Sequence, residues 1–404
     1  FNAAGIGGNG PIGGSGTGGT SSITASDPNS AFVIVTDVQT GFSDARNTNA
    51  ILAANGNGGS ANGIAGNGGA GTGGTVRISA LQGGEVALPA TASPFSLLGA
   101  IRILAQGIGG FSSDGGTGGT AFGGNGQIIA DDGTVSVGRA QFSVLAIGGR
   151  GQAGNTNSDA DGGSAFGGSR SITATNGATI NAELPFGSAG ATGGDGDGIG
   201  TARGGFAAGG NSSVTVEDST LNILGNLAIA TVARGGSGAV GGNTTDGEAR
   251  FTSSNSTVTF LPNAQGDRSL IVDASNRGGD GIDRGGFGES GNASVEIRGS
   301  TVTGVNLNIL ADGTGGDAAA SDGTGGDGIG GLATLTSNPS TIELFGQNII
   351  SASGTGGSGG DIGGLAGTNG VFVQFTDTTV NLVLDGIRDA DVEIRAEAVG
   401  GTGV

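Results

Sequence analysis

Asp stands repeatedly among glycines in this chain, and of its residue patterns that one comes nearest to supplying a site for chemistry. Asp114, Asp159, Asp161, Asp195, Asp197, Asp246, Asp280, Asp283, Asp317, Asp322, Asp327 and Asp361 all lie in Gly-rich segments. Hard cations such as Ca2+ take several oxygen ligands from carboxylates and turn carbonyls, and such segments supply both. Gly278-Gly279-Asp280-Gly281-Ile282-Asp283 matches the opening of the Ca2+-binding nonapeptide, and Gly193-Gly194-Asp195-Gly196-Asp197 approaches it. Asp195, Asp197, Asp280 and Asp283 are therefore the candidate Ca2+ ligands. Against this, nonapeptide arrays run in tandem, which these two do not. Asp and Asn are also ordinary turn formers on a solvated face.

Other chemistry is poorly served. The chain has no Cys, His, Lys, Met, Trp or Tyr, and all 15 of its basic residues are Arg. Thiolate and imidazole metal sites are excluded, as is a nucleophile activated by His or Lys. Carboxylate pairs such as Glu217 with Asp218, or Asp131 with Asp132, read as turns between strands rather than as glycosidase pairs. Phe is the only aromatic, and Phe251, Phe260, Phe372 and Phe375 sit at strand positions that place them inside or stacked, so no aromatic sugar platform is expected. Strings of the G-x-G-x-x-G kind arise by chance where 95 of 404 residues are Gly, and no strand–helix unit follows them. The expectation is a protein that is not an enzyme and needs no cofactor, with Ca2+ as the one candidate ion.

The elements that would position these residues come as an array. Gly-Gly pairs begin at positions 7, 58, 109, 148, 193, 235, 278, 315, 356 and 400, so residues 1–404 form about nine repeats of 37–51 residues. A second landmark, Thr followed by an apolar residue, keeps step at Thr134, Thr179, Thr220, Thr257, Thr301, Thr341 and Thr379. From each Thr to the next Gly-Gly is 14, 14, 15, 21, 14, 15 and 21 residues. The half that opens on Thr is thus nearly fixed in length, and the Gly-rich half absorbs the variation. A period of this size marks a stacked repeat protein.

The fixed half reads as strands. In Ser213 to Val232, Val214 and Val216 alternate with polar residues, Glu217-Asp218 turns, Leu221 and Ile223 alternate again, Gly225-Asn226 turns, and Leu227 and Ile229 follow. The same frame fits Val295, Ile297, Val302, Leu307 and Ile309, and then Leu335, Ile342, Leu344 and Ile349. No helical period appears. Three short strands per unit predict an all-β, parallel β-solenoid in which the seven Thr stack as a structural ladder; an antiparallel sandwich or propeller is the competing arrangement. The Gly-rich half is either an ordered, polyglycine-II-like stack or a fringe that loops outward, and the recurrence of Gly-Gly favours the stack.

A net charge of −19 argues against nucleic acid and anionic membranes as partners, and no apolar run approaches a membrane span. Both ends fall near repeat boundaries, which reads as a piece of a longer array.

GTGG-type strings alternating with Val/Ile-rich strands, as in Gly204 to Val232 and Gly313 to Gly357, resemble the Gly-rich β-strand-repeat exoproteins of Gram-negative bacteria. These are surface proteins related to filamentous-haemagglutinin-type adhesins, secreted by two-partner or autotransporter routes. The resemblance implies a right-handed β-helix at the bacterial cell surface, serving adhesion, biofilm or a surface fibre. The expected function is a structural or adhesive extracellular fibre that self-associates end to end or laterally. The alternative is a binding solenoid whose Thr ladder or Asp-rich loops meet polysaccharide, ice or Ca2+. Self and extracellular polysaccharide are the expected partners.

Overall fold

Short β-branched stretches broken by turn formers cannot bury an apolar face alone, so each unit leans on the next. The computed structural model describes residues 1–33, 51–88, 101–153, 159–197, 201–263, 265–383 and 391–403. Among them are 43 strands and no helix, and every pairing between those strands is parallel. The chain is a parallel β-solenoid, as the repeat pattern predicts.

One coil shows the plan. Asn211–Glu217 lies in a back sheet, Thr220–Leu224 and Leu227–Ala230 in a front sheet, and Ala233–Arg234 in a third, which we call the neck sheet. After Gly235-Gly236 the chain turns through a tip loop, returns through Gly241-Gly242 and Thr244–Thr245, and enters the next back strand, Glu248–Ser254. The three strands and two turns are those expected for Ser213 to Val232. Val214, Val216, Leu221, Ile223, Leu227 and Ile229 all point inward and are at most 1% exposed. Each such side chain contributes roughly 1.5–3 kcal/mol on burial.

The corner between back and front strands is a column of left-handed residues: Gln82, Asp132, Asn176, Asp218, Asn255 and Asp377, with φ from 47 to 58°, and Gly299 at 58°. Asn, Asp and Gly tolerate this region best, which is why the Asp131-Asp132 and Glu217-Asp218 pairs are turns. One inward assignment fails. Ile350, not Ile349, is buried, because Asn348 takes the preceding inward position at the second corner. Asn348 Nδ2 donates to Gly346 O (2.9 Å) and Asp391 O (3.0 Å), while its Oδ1 accepts from Leu307 N (2.8 Å). A fully bonded Asn can occupy the core edge, and the alternation of buried positions runs unbroken through 342, 344, 346, 348 and 350.

The interior tapers. The wide end is filled by Val, Ile, Leu and Phe; then comes a layer of Ala121, Ala146, Ala165, Ala191, Ala207 and Ala233; beyond it only Gly fits. There the two walls of the coil meet backbone to backbone, and a second series of Gly-Gly pairs, at 204–205, 241–242 and 285–286 for example, faces the first. Within a pair the two amides divide the work. Gly235 N–H donates along its own wall to Arg277 O in the next coil (2.9 Å), whereas Gly236 N–H crosses the neck to Gly205 O (3.0 Å). The crossings link head to tail: Gly242 N to Gly236 O, Gly279 N to Gly242 O, Gly286 N to Gly279 O and Gly316 N to Gly286 O, at 2.8–2.9 Å. A Cβ on Gly235 would overlap the Gly242 carbonyl. The Gly-rich half is therefore an ordered polyglycine-II-like lattice at its neck, and length variation sits in the tip loop and the front-sheet turn. From the second Gly-Gly of each coil to the ladder Thr is 16 residues in six of seven coils and 17 in the other.

Candidate functional site

The front sheet carries the ladder that the spacing predicts. Thr134 pairs with Thr179, then Thr220, Thr257, Thr301, Thr341 and Thr379, each in direct register. The residue after each Thr points inward: Val135, Ile180, Leu221, Val258, Val302 and Ile342 are buried. The Thr side chains consequently face solvent. A second outward row runs beside them, through Ser136, Asn181, Asn222, Thr259 and Thr303. Asn181 Nδ2 donates to Ser136 Oγ (3.2 Å) and Asn222 Nδ2 to Asn181 Oδ1 (2.9 Å), so this row is bonded along the axis. The face is a hydroxyl and amide lattice with a rung spacing of about 4.7–4.9 Å.

The Asp residues of the Gly-rich half have a different employment. Asp195 Oδ1 accepts from Ser237 N (2.9 Å), Asp280 Oδ1 from Asp317 N (3.1 Å), Asp317 Oδ1 from Ser358 N (2.7 Å) and Asp161 Oδ1 from Arg203 N (2.8 Å). Each carboxylate thus caps a backbone N–H one coil further on, where the tip loop departs from the regular ladder. Asp280 also pairs with Arg277 at 3.0 Å. Asp197 exchanges backbone bonds with Ala160, and the Asp283 carbonyl accepts from Thr324 N, leaving its side chain exposed. Columns Gly193, Gly235 and Gly278 are successive rungs, so Asp195 and Asp280 stand two rungs, roughly 9.5 Å, apart. The structure does not bring the four candidate ligands together, and among the described residues no three carboxylates gather as a metal cage.

Two features carry no expectation from the sequence. The first is an aromatic ridge on the back-sheet side of the neck, where no aromatic platform was expected. Phe122 stacks on Phe166 with centroids 5.2 Å apart, and Phe166 meets Phe206 at 5.9 Å. Phe206 and Phe287 then line a groove of about 510 Å³ together with Arg203, Asn243, Arg284 and Asp327. Its signal is the string Arg-Gly-Gly-Phe, present at 203–206 and again at 284–287. Of the Phe expected inside, Phe251 and Phe260 are buried, while Phe372 and Phe375 are 49% and 45% exposed on the last coil.

The second is Arg170, wholly buried inside the solenoid. Its guanidinium lies over the Phe142 ring at 4.9 Å and donates through Nη1 to Ala228 O (2.9 Å) and Ser212 Oγ (3.1 Å). Nε and Nη2 find no partner among the described residues. The side chain fills the room left by Gly187, where a Cβ would strike the guanidinium. Burial pushes its pKa down to about 9. Asp273, in a front strand, is shifted upward, chiefly by burial, against two hydrogen bonds from Ser275 and with Asp312 adding repulsion.

No known protein family, characterised protein or solved structure matches the chain.

Proposed function

We propose that this chain forms a rigid, self-associating structural rod of the bacterial cell surface or extracellular matrix. The observation that carries the reading is the parallel pairing of coil on coil in the back, front and neck sheets. Coils that stack by the same backbone bonds build a rod of constant section, and Leu224 and Leu261, exposed on successive front-sheet rungs, give neighbouring rods an apolar surface to meet on. Continuous hydrogen-bond ladders in three sheets supply axial stiffness. The charge of −19 keeps the flanks soluble, and the resemblance to Gly-rich exoproteins supports the extracellular setting.

Sedimentation and electron microscopy of purified 1–404 test this. Assemblies that grow with concentration are expected, and Leu224→Asp with Leu261→Asp should hold the rods single. Wild-type rods that stay single at millimolar concentration would sink the proposal.

The seven outward Thr support a second reading, in which the front sheet binds a flat polysaccharide or an ice surface through repeated hydroxyls. Ice shaping and glycan retention measure it directly, with Thr220→Val and Thr257→Val as the weakening variants. Neither effect in the wild-type protein would remove this reading.

A further inference from the structure

We infer that the groove along the back-sheet flank of the neck binds a linear acidic polysaccharide. Arg203, Val240 and Arg284 occupy successive rungs of one column, so the two guanidinium groups repeat on one face about every 9.5 Å. Both are exposed, and neither has an ion-pair partner among the described residues. Two exposed cations about two rungs apart, beside a line of aromatic rings, suit an anionic ligand even on a chain whose net charge is −19. Three residues after each Arg stands a half-buried Phe, Phe206 or Phe287, and the aromatic line continues through Phe166 and Phe122. From Phe122 to Phe287 the ridge covers four rung steps, roughly 19 Å. Asp161 and Asp327 bracket the arginines, but each turns an oxygen onto a backbone N–H, of Arg203 and Leu365, at 2.8 Å. They mark the ends of the positive stretch.

The ligand class follows from what the groove offers and withholds. Guanidinium groups take carboxylates or sulfates, and Phe faces take the C–H faces of sugar rings. The backbone amides here are already used: Arg203 N by Asp161, Gly204 N by Val240 O and Gly285 N by Thr324 O. A peptide adding itself as a strand would find no free edge. A polyuronate needs only the side chains that are present. The site lies on the flank of the neck, away from the front sheet that carries Leu224 and Leu261, so it stands whether or not rods join.

Calorimetric titration of 1–404 at low protein concentration with size-defined oligogalacturonate, neutral dextran and poly-L-glutamate tests the inference. Oligogalacturonate should bind, at least tenfold more weakly in 500 mM than in 50 mM NaCl, and dextran should not. Arg203→Gln with Arg284→Gln should weaken binding at least tenfold while circular dichroism and the unfolding midpoint stay put. Arg234→Gln, on the opposite flank, should change nothing. Phe206→Ser with Phe287→Ser should weaken oligogalacturonate and leave poly-L-glutamate unaffected. No binding of oligogalacturonate, full-strength binding by the Arg double variant, or poly-L-glutamate binding as tightly as the glycan would each overturn it. So would a change in sedimentation of the Arg double variant, which would assign the arginines to rod–rod contact.

Discussion

Placing one methyl group in the neck should open the solenoid locally, and Gly236→Ala is the sharpest case. A Cβ on Gly236 would overlap the Gly194 carbonyl and sit 2.9 Å from the Gly205 amide nitrogen, the two groups that bond to each other at 2.7 Å. Gly236 itself donates to Gly205 O and accepts from Gly242 N, so three crossings meet at this point. For the methyl to fit, the walls must part and at least the Gly205-to-Gly194 bond must break. Leaving one donor and one acceptor buried without partners costs about 1–3 kcal/mol each, so about 2–6 kcal/mol together. The lower entropy of the unfolded Ala chain returns about 0.4–1 kcal/mol. The expected net loss is about 1–5.6 kcal/mol. Gly8→Ala is the control, because nothing lies within 4 Å of a Cβ there and its φ is not positive. It should be neutral or stabilising by no more than about 1 kcal/mol. Stability in a stack sums over neighbouring coils, so a single global midpoint blurs the effect. Amide hydrogen exchange at Gly205, Gly236 and Gly242 resolves it, and should quicken roughly fivefold or more in Gly236→Ala. If the two variants exchange and unfold alike, the two walls are not in contact and the polyglycine-like neck is refuted.

Three further outcomes follow from the buried and acidic groups. Arg170 is still charged at pH 7, since burial lowers its pKa only to about 9. Its folded pKa lies below its unfolded one, so the penalty is complete below pH 9 and is relieved as pH rises beyond it. Arg170→Met should therefore raise the urea midpoint at pH 7, by about 1–4 kcal/mol, with the gap narrowing near pH 10; a lower midpoint at pH 7 would contradict this. Asp273 is shifted upward by burial, so its contribution is complete below the ordinary Asp pKa and lost as pH rises. Asp273→Asn should stabilise at pH 7 and be neutral at pH 3, read from paired unfolding curves. With Asp195 and Asp280 capping backbone amides two rungs apart, EDTA should leave the unfolding curve in place, and a fall in midpoint would restore a Ca2+ role.

The parts of the fold legible in the sequence are those where one residue type answers one local demand. Thr at the start of each front strand, with an apolar residue after it, fixed both register and facing, and seven positions pair as their spacing required. Left-handed corners likewise announce themselves as Asp, Asn or Gly in every coil of the column except that of Gln82. What stayed hidden depends on the partner wall. The second Gly-Gly series varies in distance from the first, so only contact across the neck reveals that the two belong together. Asn348 carries no apolar signal, yet it takes an inward place, and the inward row therefore reaches Ile350 rather than Ile349. Phe122, Phe166 and Phe206 form a ridge although Phe206 sits at a different offset in its repeat from the other two. Arg170 holds the same column as Val76 and Ser212, and only the missing side chain of Gly187 explains how it fits.

The taper from Phe and Leu through Ala to Gly has a consequence for how such a chain can change. At the wide end, coils are held by side-chain volume, and each substitution there is felt by neighbours above and below. At the neck they are held by backbone alone, which is the same in every coil, so the lattice is blind to what the tip loop does beyond it. Tip loops accordingly differ in length from coil to coil while the 16-residue path from neck to Thr ladder scarcely moves. The two Arg-Gly-Gly-Phe strings sit at this boundary, with Gly-Gly in the lattice and Arg and Phe outside it. Residues flanking the second Gly-Gly can therefore be exchanged without disturbing register, and a binding row placed there inherits the rung spacing of the core. Transplanting Arg-Gly-Gly-Phe onto Val240-Gly-Gly-Asn243 removes the Asn243 Oδ1 bond from Phe287 N (2.9 Å) and should cost no more than about 0.5–1.5 kcal/mol. It would also fill the gap between the two natural copies, and tighter oligogalacturonate binding is the expected result. A larger loss of stability would show instead that the neck is coupled to its flanks.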